Sequence, residues 1–389
     1  MQRTALAICA LSLVLIFSFA KKPQTTQAET IKKFTETKVD PKKIQAAILL
    51  DVSNSMDGLI EQAKAQLWNM VNTLGRVKCD DNSKPQIEVS LYEYGRSSNS
   101  AANGYVKQLV SFTQDLDSIS KILFNLNTNG GEEYCGKVIY TSLDELKWNE
   151  KNDQYKVIFI AGNEDFLQGN VTYTAACAKA KEKGVIVNTI YCGDRKQGIR
   201  EHWNLLGECG NGSFTNINQN EKIIDIPTPY DSTLIVLNNR LNATYIAYGA
   251  QGKYRANMQK EVDEANATLG NGMAAQRAAA KSMSNAYNNE SWDLVDAVKS
   301  DKDIINKLDK KTLPDNLKNK SNKDLLLYIE QKQADRSAIQ KEMQTVNEKR
   351  NVFIADAKKK MATNGKQTLE SAIETSIREQ VKRFKMQIP

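Results

Sequence analysis

Residues 44–56 read Ile-Gln-Ala-Ala-Ile-Leu-Leu-Asp-Val-Ser-Asn-Ser-Met. The first seven are apolar apart from Gln45. A short run of that kind, without alternation, is the pattern of a strand buried on both faces of a parallel sheet. Asp51, Ser53 and Ser55 follow at i, i+2 and i+4, a spacing that lets three side chains converge in a turn. Residues 59–74 then carry apolar side chains at 59, 60, 63, 67, 70, 71 and 74, which is one face of a helix. A strand, an oxygen-rich turn and a helix form the frame in which open α/β sheets hold ligands, beyond the carboxyl ends of their strands.

The same pattern continues downstream. Residues 86–94 (QIEVSLYEY) alternate as a strand and 105–112 read as another. Residues 116–126 and 137–148 are helical. Two further apolar strands are expected over 155–161 (YKVIFIA) and 185–191 (VIVNTIY). Between them, 173–183 forms a helix closed by Gly184. Residues 200–208 make a last helix and 213–217 an edge strand. This alternation over 44–226 predicts the α/β class, a doubly wound, mostly parallel sheet with helices on both faces.

Pro227 and Pro229 mark a boundary, and 227–389 reads as an all-α C-terminal region. Residues 233–248 are expected to form one helix packing back on the α/β domain. Residues 261–283 are helical apart from Gly270-Asn271-Gly272, 292–299 start a short helix, and 300–323 hold fragments broken at Pro314. Residues 324–361 form a long amphipathic helix, with Leu325, Ile329, Ile339, Met343, Val346, Phe353 and Ala357 near a heptad seam. Lys332, Arg336 and Arg350 interrupt that seam. The pattern favours a long helix folded against its neighbours over a continuous coiled coil. Residues 367–384 are helical as well.

At the other end, Arg3 precedes an apolar run over 5–19, and Ser18-Phe19-Ala20 offers small residues for cleavage. Residues 1–20 read as a secretory signal peptide cut near Ala20, so the protein is expected to be periplasmic or extracellular. The run, about 15 residues long, is short for a membrane span of roughly 20; retention as an N-terminal anchor is the alternative. Residues 21–43 are polar, with Pro23 and Pro41, and read as a flexible linker. Cleavage removes Cys9 and leaves Cys79, Cys135, Cys177, Cys192 and Cys209, an odd set that keeps at least one thiol out of intrachain disulfides. His202 is the sole histidine, which excludes His-rich metal sites. The formal charge of +7 is spread among interleaved acids and reads as a solvated surface. Export argues against nucleic acid as a partner and leaves contact with an anionic cell-envelope surface open.

Asp51, Ser53 and Ser55 supply one carboxylate and two hydroxyls, hard donors that suit Mg²⁺ or Mn²⁺, with Ca²⁺ a further option. On AAILLDVSNSM with its helix, the Gly130-Gly131 loop, KVIFIAGNED, GVIVNTIYCG and GECGNGSFTNI, residues 44–226 resemble the von Willebrand factor A domain family. The resemblance implies a doubly wound sheet and a metal-ion-dependent adhesion site on Asp51, Ser53 and Ser55. It further implies a protein partner gripped through a carboxylate, and no reaction. This sequence departs from the family twice. Glu132 stands where a threonine is usual, and is the expected replacement ligand. Gly162 stands where an aspartate is usual, leaving Asn163, Glu164 or Asp165 to act through water. The stretches WDLVDAV and DLLLYIEQKQADRSAIQKEM resemble helical extensions of exported bacterial members, which imply no activity.

The expectation is therefore an exported adhesion or scaffold protein and not an enzyme. One alternative is a degenerate metal site whose serines cap the helix, with binding left to the tail. Another is a hydrolase using Glu132, Glu133, Glu164 or Asp165, for which the residues fix no nucleophile. A third, assembly with an ATPase, is opposed by the leader.

Overall fold

In a computed structural model that describes residues 41–218, 220, 225–361 and 368–389, the apolar runs become the middle of a sheet. The signal peptide expected over 1–20 and residues 21–40 of the linker expected over 21–43 lie outside the described residues, while Lys43 of that linker already belongs to β1. The α/β part comprises β1 (Lys43–Asp51), α1 (Asp57–Gly75), β2 (Lys78–Cys79), β3 (Gln86–Tyr94), β4 (Lys107–Thr113), α2 (Leu116–Asn125) and α3 (Cys135–Glu145). It continues with β5 (Tyr155–Gly162), α4 (Tyr173–Lys183), β6 (Ile186–Cys192), α5 (Arg195–Arg200), α6 (Trp203–Cys209) and β7 (Phe214–Ile217). The strand order is β4-β3-β1-β5-β6-β7. Within this six-stranded sheet of the described residues, only β4 runs antiparallel to its neighbour; the other pairings are parallel. From β1 the chain goes to one side as β3 and later returns on the other as β5. The carboxyl end of β1 is therefore the switch point of the sheet, where such folds take ligands. Asp51 is the last residue of β1 and lies in register with Tyr94 of β3.

Alternate residues of each strand serve opposite layers. Ile44, Ala46 and Leu50 pack with Leu59, Leu67 and Trp68 of α1 and Ile119 of α2. Ala47 and Leu49 pack with Val138 and Leu143 of α3, Ala176 of α4 and Trp203 of α6. Each fully buried Val, Leu or Ile among them contributes about 1.5–3 kcal/mol by leaving water. The expected cap on α4 is present, Gly184 having a φ of 62°. The helix expected over 200–208 starts only at Trp203, as α6; a further short helix, α5, precedes it, and His202, at a φ of 64°, separates the two. Cys177 of α4 and Cys209 at the end of α6 are joined as a disulfide, while Cys79, Cys135 and Cys192 are free and buried.

The helical part comprises α7 (Asp231–Asn242), α8 (Gly252–Thr268), α9 (Asn271–Lys281), α10 (Leu294–Ser300), α11 (Ile304–Lys307), α12 (Asn322–Met361) and α13 (Leu369–Gln380), closed by β8 (Met386–Gln387). The helix expected over 233–248 stops at Asn242. Beyond it, Ala247 forms a β-bridge with Asp293, and the Asp293 carboxylate accepts from the Ile246 N–H at 2.7 Å. That side-chain acceptor competes with continuation of the helix. The main neighbours of α7 are α9 and α12; it is α8, α9 and α13 that lie on α1 and α2.

Residues 41–389 form one compact unit. The join is partly ionic. Arg277 of α9 donates to Asp117 of α2 at 2.7 Å and stacks on the Trp68 ring, 4.6 Å from its centroid. The last residues of the chain also return to the sheet. Gln380 and Asn188 of β6 exchange amide hydrogen bonds of 2.7 and 3.1 Å, Tyr155 of β5 donates to Gln380 at 2.9 Å, and β8 pairs antiparallel with β2.

The seam of α12 differs from the expected one. Ile329, Arg336, Met343 and Arg350 stand seven residues apart, and all four are buried. The arginines do not interrupt the seam; they belong to it. Arg336 donates to Asp293 at 2.6 Å and to Asp296 at 2.7 Å, and Arg350 donates to Asp231 at 2.7 Å. Their long stems pack as apolar matter while the heads are paired. Beyond Arg350 the seam ends, with Val352 63% and Phe353 41% exposed. Among the described residues no helix is long and apolar enough to cross a membrane.

Candidate metal centre

The turn after β1 is held from both sides. The Val52 N–H donates to the Tyr94 carbonyl at 2.9 Å, and the Val52 carbonyl accepts from the Asn129 N–H at 2.8 Å. Ser53 is extended, and its N–H donates to Asp51 Oδ1 at 2.8 Å. A single 3₁₀ turn over Asn54–Met56 then leads into α1. The hydroxyls of Ser53 and Ser55 lie 3.3 Å apart, and Ser55 donates to Asn163 Oδ1 at 3.3 Å. Ser53 makes no capping bond to the helix that follows. The two hydroxyls thus face each other and the loop after β5, not the helix backbone.

The 130–133 loop closes the other side. Ser97 N–H donates to the Gly130 carbonyl at 2.8 Å, and a Cβ on Gly131 would stand 2.6 Å from the Gly95 carbonyl oxygen. Only glycine permits that approach. The loop then turns Glu133 inward, 8% exposed, and leaves Glu132 in solvent. Gly95, at a φ of 81°, shows how close the acids come. A Cβ there would lie 2.9 Å from Asp51 Oδ1 and 3.0 Å from Glu133 Cγ. The carboxylate that reaches the site from this loop is therefore Glu133, one residue beyond the one expected.

The electrostatics follow from burial. Asp51 is fully buried, and burial pushes its pKa up to about 6; the Glu164 charge adds to this, while hydrogen bonds from Ser53 and the Asn163 backbone oppose it. Glu133 is pushed up to about 7, first by burial and then by the charges of Asp51 and Glu164, against a hydrogen bond from Ser53. Asp51 Oδ2 is buried and makes no well-formed hydrogen bond. An ionised carboxylate oxygen left so is costly unless a cation or donor meets it. The donor set fits a hard cation: Asp51, Ser53, Ser55 and Glu133 all offer oxygen. No cluster of three or more His, Cys, Asp or Glu side chains able to hold a metal occurs among the described residues, so the hydroxyls are needed to complete any such site.

The remaining expected residues divide. Asn163 joins the cluster through Ser55, and Glu164 acts on it through its charge. Asp165 turns elsewhere, 3.0 Å from His202 Nδ1 and accepting from the Leu167 N–H at 3.0 Å. Gly162 lies directly on Asp51, since a Cβ there would stand 2.9 Å from Oδ2.

The family comparison agrees with this frame. Residues 47–226 match the family model of the von Willebrand factor type A domain. No match was found among curated proteins. Among solved structures, the chain is similar to the VWA domain of SpRpn10, at 16% identity and a TM-score of 0.33, covering 45% of this chain and 87% of that one. It is also similar to an aerotolerance-related membrane protein from Bacteroides fragilis, at 16% identity and a TM-score of 0.32, covering 46% and 93%. A third is proximal thread matrix protein 1 from the mussel byssus with a zinc-occupied MIDAS motif, at 13% identity and a TM-score of 0.32, covering 45% and 42%. With their parallel sheet and the Asp51 turn at the switch point, residues 47–226 form a von Willebrand factor type A domain.

Proposed function

We propose that this is an exported binding protein that holds a divalent cation on Asp51, Ser53, Ser55 and Glu133 and grips a protein partner at that face. The observation that carries the reading is Asp51 Oδ2, a buried carboxylate oxygen without a well-formed hydrogen bond, beside two facing hydroxyls. A hard cation is the chemistry such a donor set serves, and Mg²⁺ or Mn²⁺ fits it best. When bound, the cation supplies a Lewis-acidic point for a partner's oxygen. The chain's own residues orient it, Asn163 fixing Ser55 and the Ser53 N–H fixing Asp51. Export is supported by the leader over 1–20 and by the Cys177–Cys209 disulfide, a bond favoured in oxidising compartments.

Thermal unfolding with chelator, and then with Mg²⁺, Mn²⁺ or Ca²⁺, tests the reading. A cation that binds only the folded chain must raise its midpoint. The rise is expected in the wild type and absent in Asp51→Ala. No rise with any of the three ions overturns the reading.

A further inference from the structure

Building on that cation reading, we infer that Glu133 supplies the cation with a second carboxylate from within the chain, so that this face takes a neutral oxygen from a basic partner surface and turns an acidic group away. Glu133 is not a mobile surface acid. It is 8% exposed, and the loop that carries it is fixed by the Asn129 N–H to Val52 carbonyl bond and the Ser97 N–H to Gly130 carbonyl bond, both 2.8 Å. Gly131 packs directly against the backbone of residues 95–97. The Glu133 Cγ and Asp51 Oδ1 flank the same point above Gly95. The independent sign that the Asp51 carboxylate receives a ligand is its other oxygen, Oδ2, which is buried on the Gly162 side and makes no well-formed hydrogen bond.

Charge then decides what else can approach. A divalent cation balances Asp51 and Glu133. Glu164, whose charge acts on both, is left over, and Glu132 is exposed on the same loop. Arg96, on the neighbouring loop, is already taken up by Glu93 at 3.1 Å and by Asn127. An incoming carboxylate therefore meets a surplus of negative charge, whereas an amide or hydroxyl oxygen flanked by lysine or arginine meets none.

The test is a calorimetric titration of the full chain with Mn²⁺, in sodium chloride and in sodium acetate of equal ionic strength, acetate standing in for an acidic side chain. The wild type is expected to bind Mn²⁺ with the same Kd in both salts. Glu133→Thr should bind about tenfold more weakly or worse in chloride, and acetate should recover part of the loss. Glu133→Gln keeps the shape and removes the charge, and gives the same comparison should the threonine variant fold poorly; unfolding scans in chelator check both. Acetate tightening the wild type as much as the variants, or variants that match the wild type in chloride, overturns the role of Glu133 while leaving the cation reading intact. A wild type that binds no Mn²⁺, like Asp51→Ala, removes both.

Discussion

The hydroxyl of Tyr94 fills the space that a side chain on Gly162 would need. It donates to the Ala161 carbonyl at 2.9 Å and lies in contact with the position of a Cβ at 162. The two residues are thus complementary, a large side chain from β3 matched to none on β5, and an aspartate at 162 has no room while Tyr94 is present. Gly162→Ala is expected to destabilise the chain by about 1–3 kcal/mol through overpacking. Tyr94→Phe in the same chain removes the nearest crowding atom, leaving Asp51 Oδ2 at 2.9 Å, so the double variant should lose less than the sum of the singles. Urea midpoints of the four proteins measure this, and strict additivity would show that the two side chains do not compete.

The acids of the site make stability depend on pH when cations are chelated. Asp51 stands at about 6 in the folded chain against an ordinary 3.8, and Glu133 at about 7 against 4.5. Between those values the folded chain holds protons that the unfolded chain has released, so stability falls as pH rises. The contribution is fully present below about pH 4 and is lost as pH rises through about 6 to 7, on the order of 3 kcal/mol for each group at most. Asp51→Asn and Glu133→Gln should flatten that part of the profile in chelator. Variants with the wild-type slope would show that neither carboxylate is held protonated.

Arg336 lies at a heptad position of α12 and joins α10 to it through Asp293, which is fully buried, and Asp296. Arg336→Met keeps the packing of the stem and strands Asp293. The expected loss is about 3–5 kcal/mol, the usual result of removing one partner of a buried pair. Asp293→Asn in the same chain should return part of it. Equal stability of Arg336→Met and wild type in denaturant would show that the pair is not coupled to folding.

The parts of the fold that depend on nearest neighbours were readable from the residues. The apolar runs of β1, β5 and β6, the periodicity of α1 and the glycine after α4 each carry their own signal. The split between α5 and α6 carried none, because a left-handed histidine is decided by its surroundings. The arginines of α12 look like interruptions in a linear reading, since Asp293 lies 43 residues away and Asp231 lies 119 residues away. At the candidate site, Asp51, Ser53 and Ser55 stand together as their spacing suggests. The choice between Glu132 and Glu133 was not legible, because a one-residue change in a glycine turn reverses which side chain points inward. The pair Gly130-Gly131 before two glutamates was the available hint, and only the contact of Gly131 with the 95–97 backbone resolves it.

The bond between Gln380 and Asn188 has a consequence for how the molecule comes into being. A polypeptide is made from its first residue onward, yet part of the cover on β6 and α1, and the strand that pairs with β2, come from residues 369–387. That part of the α/β layer therefore stays unfinished, with apolar surface wet, until residues 369–387 have been made. Such contacts between distant stretches form late and disfavour early folding of the first two hundred residues. A copy cut short anywhere upstream of residue 369 carries the mark of its incompleteness on its surface, where chaperones and proteases read it.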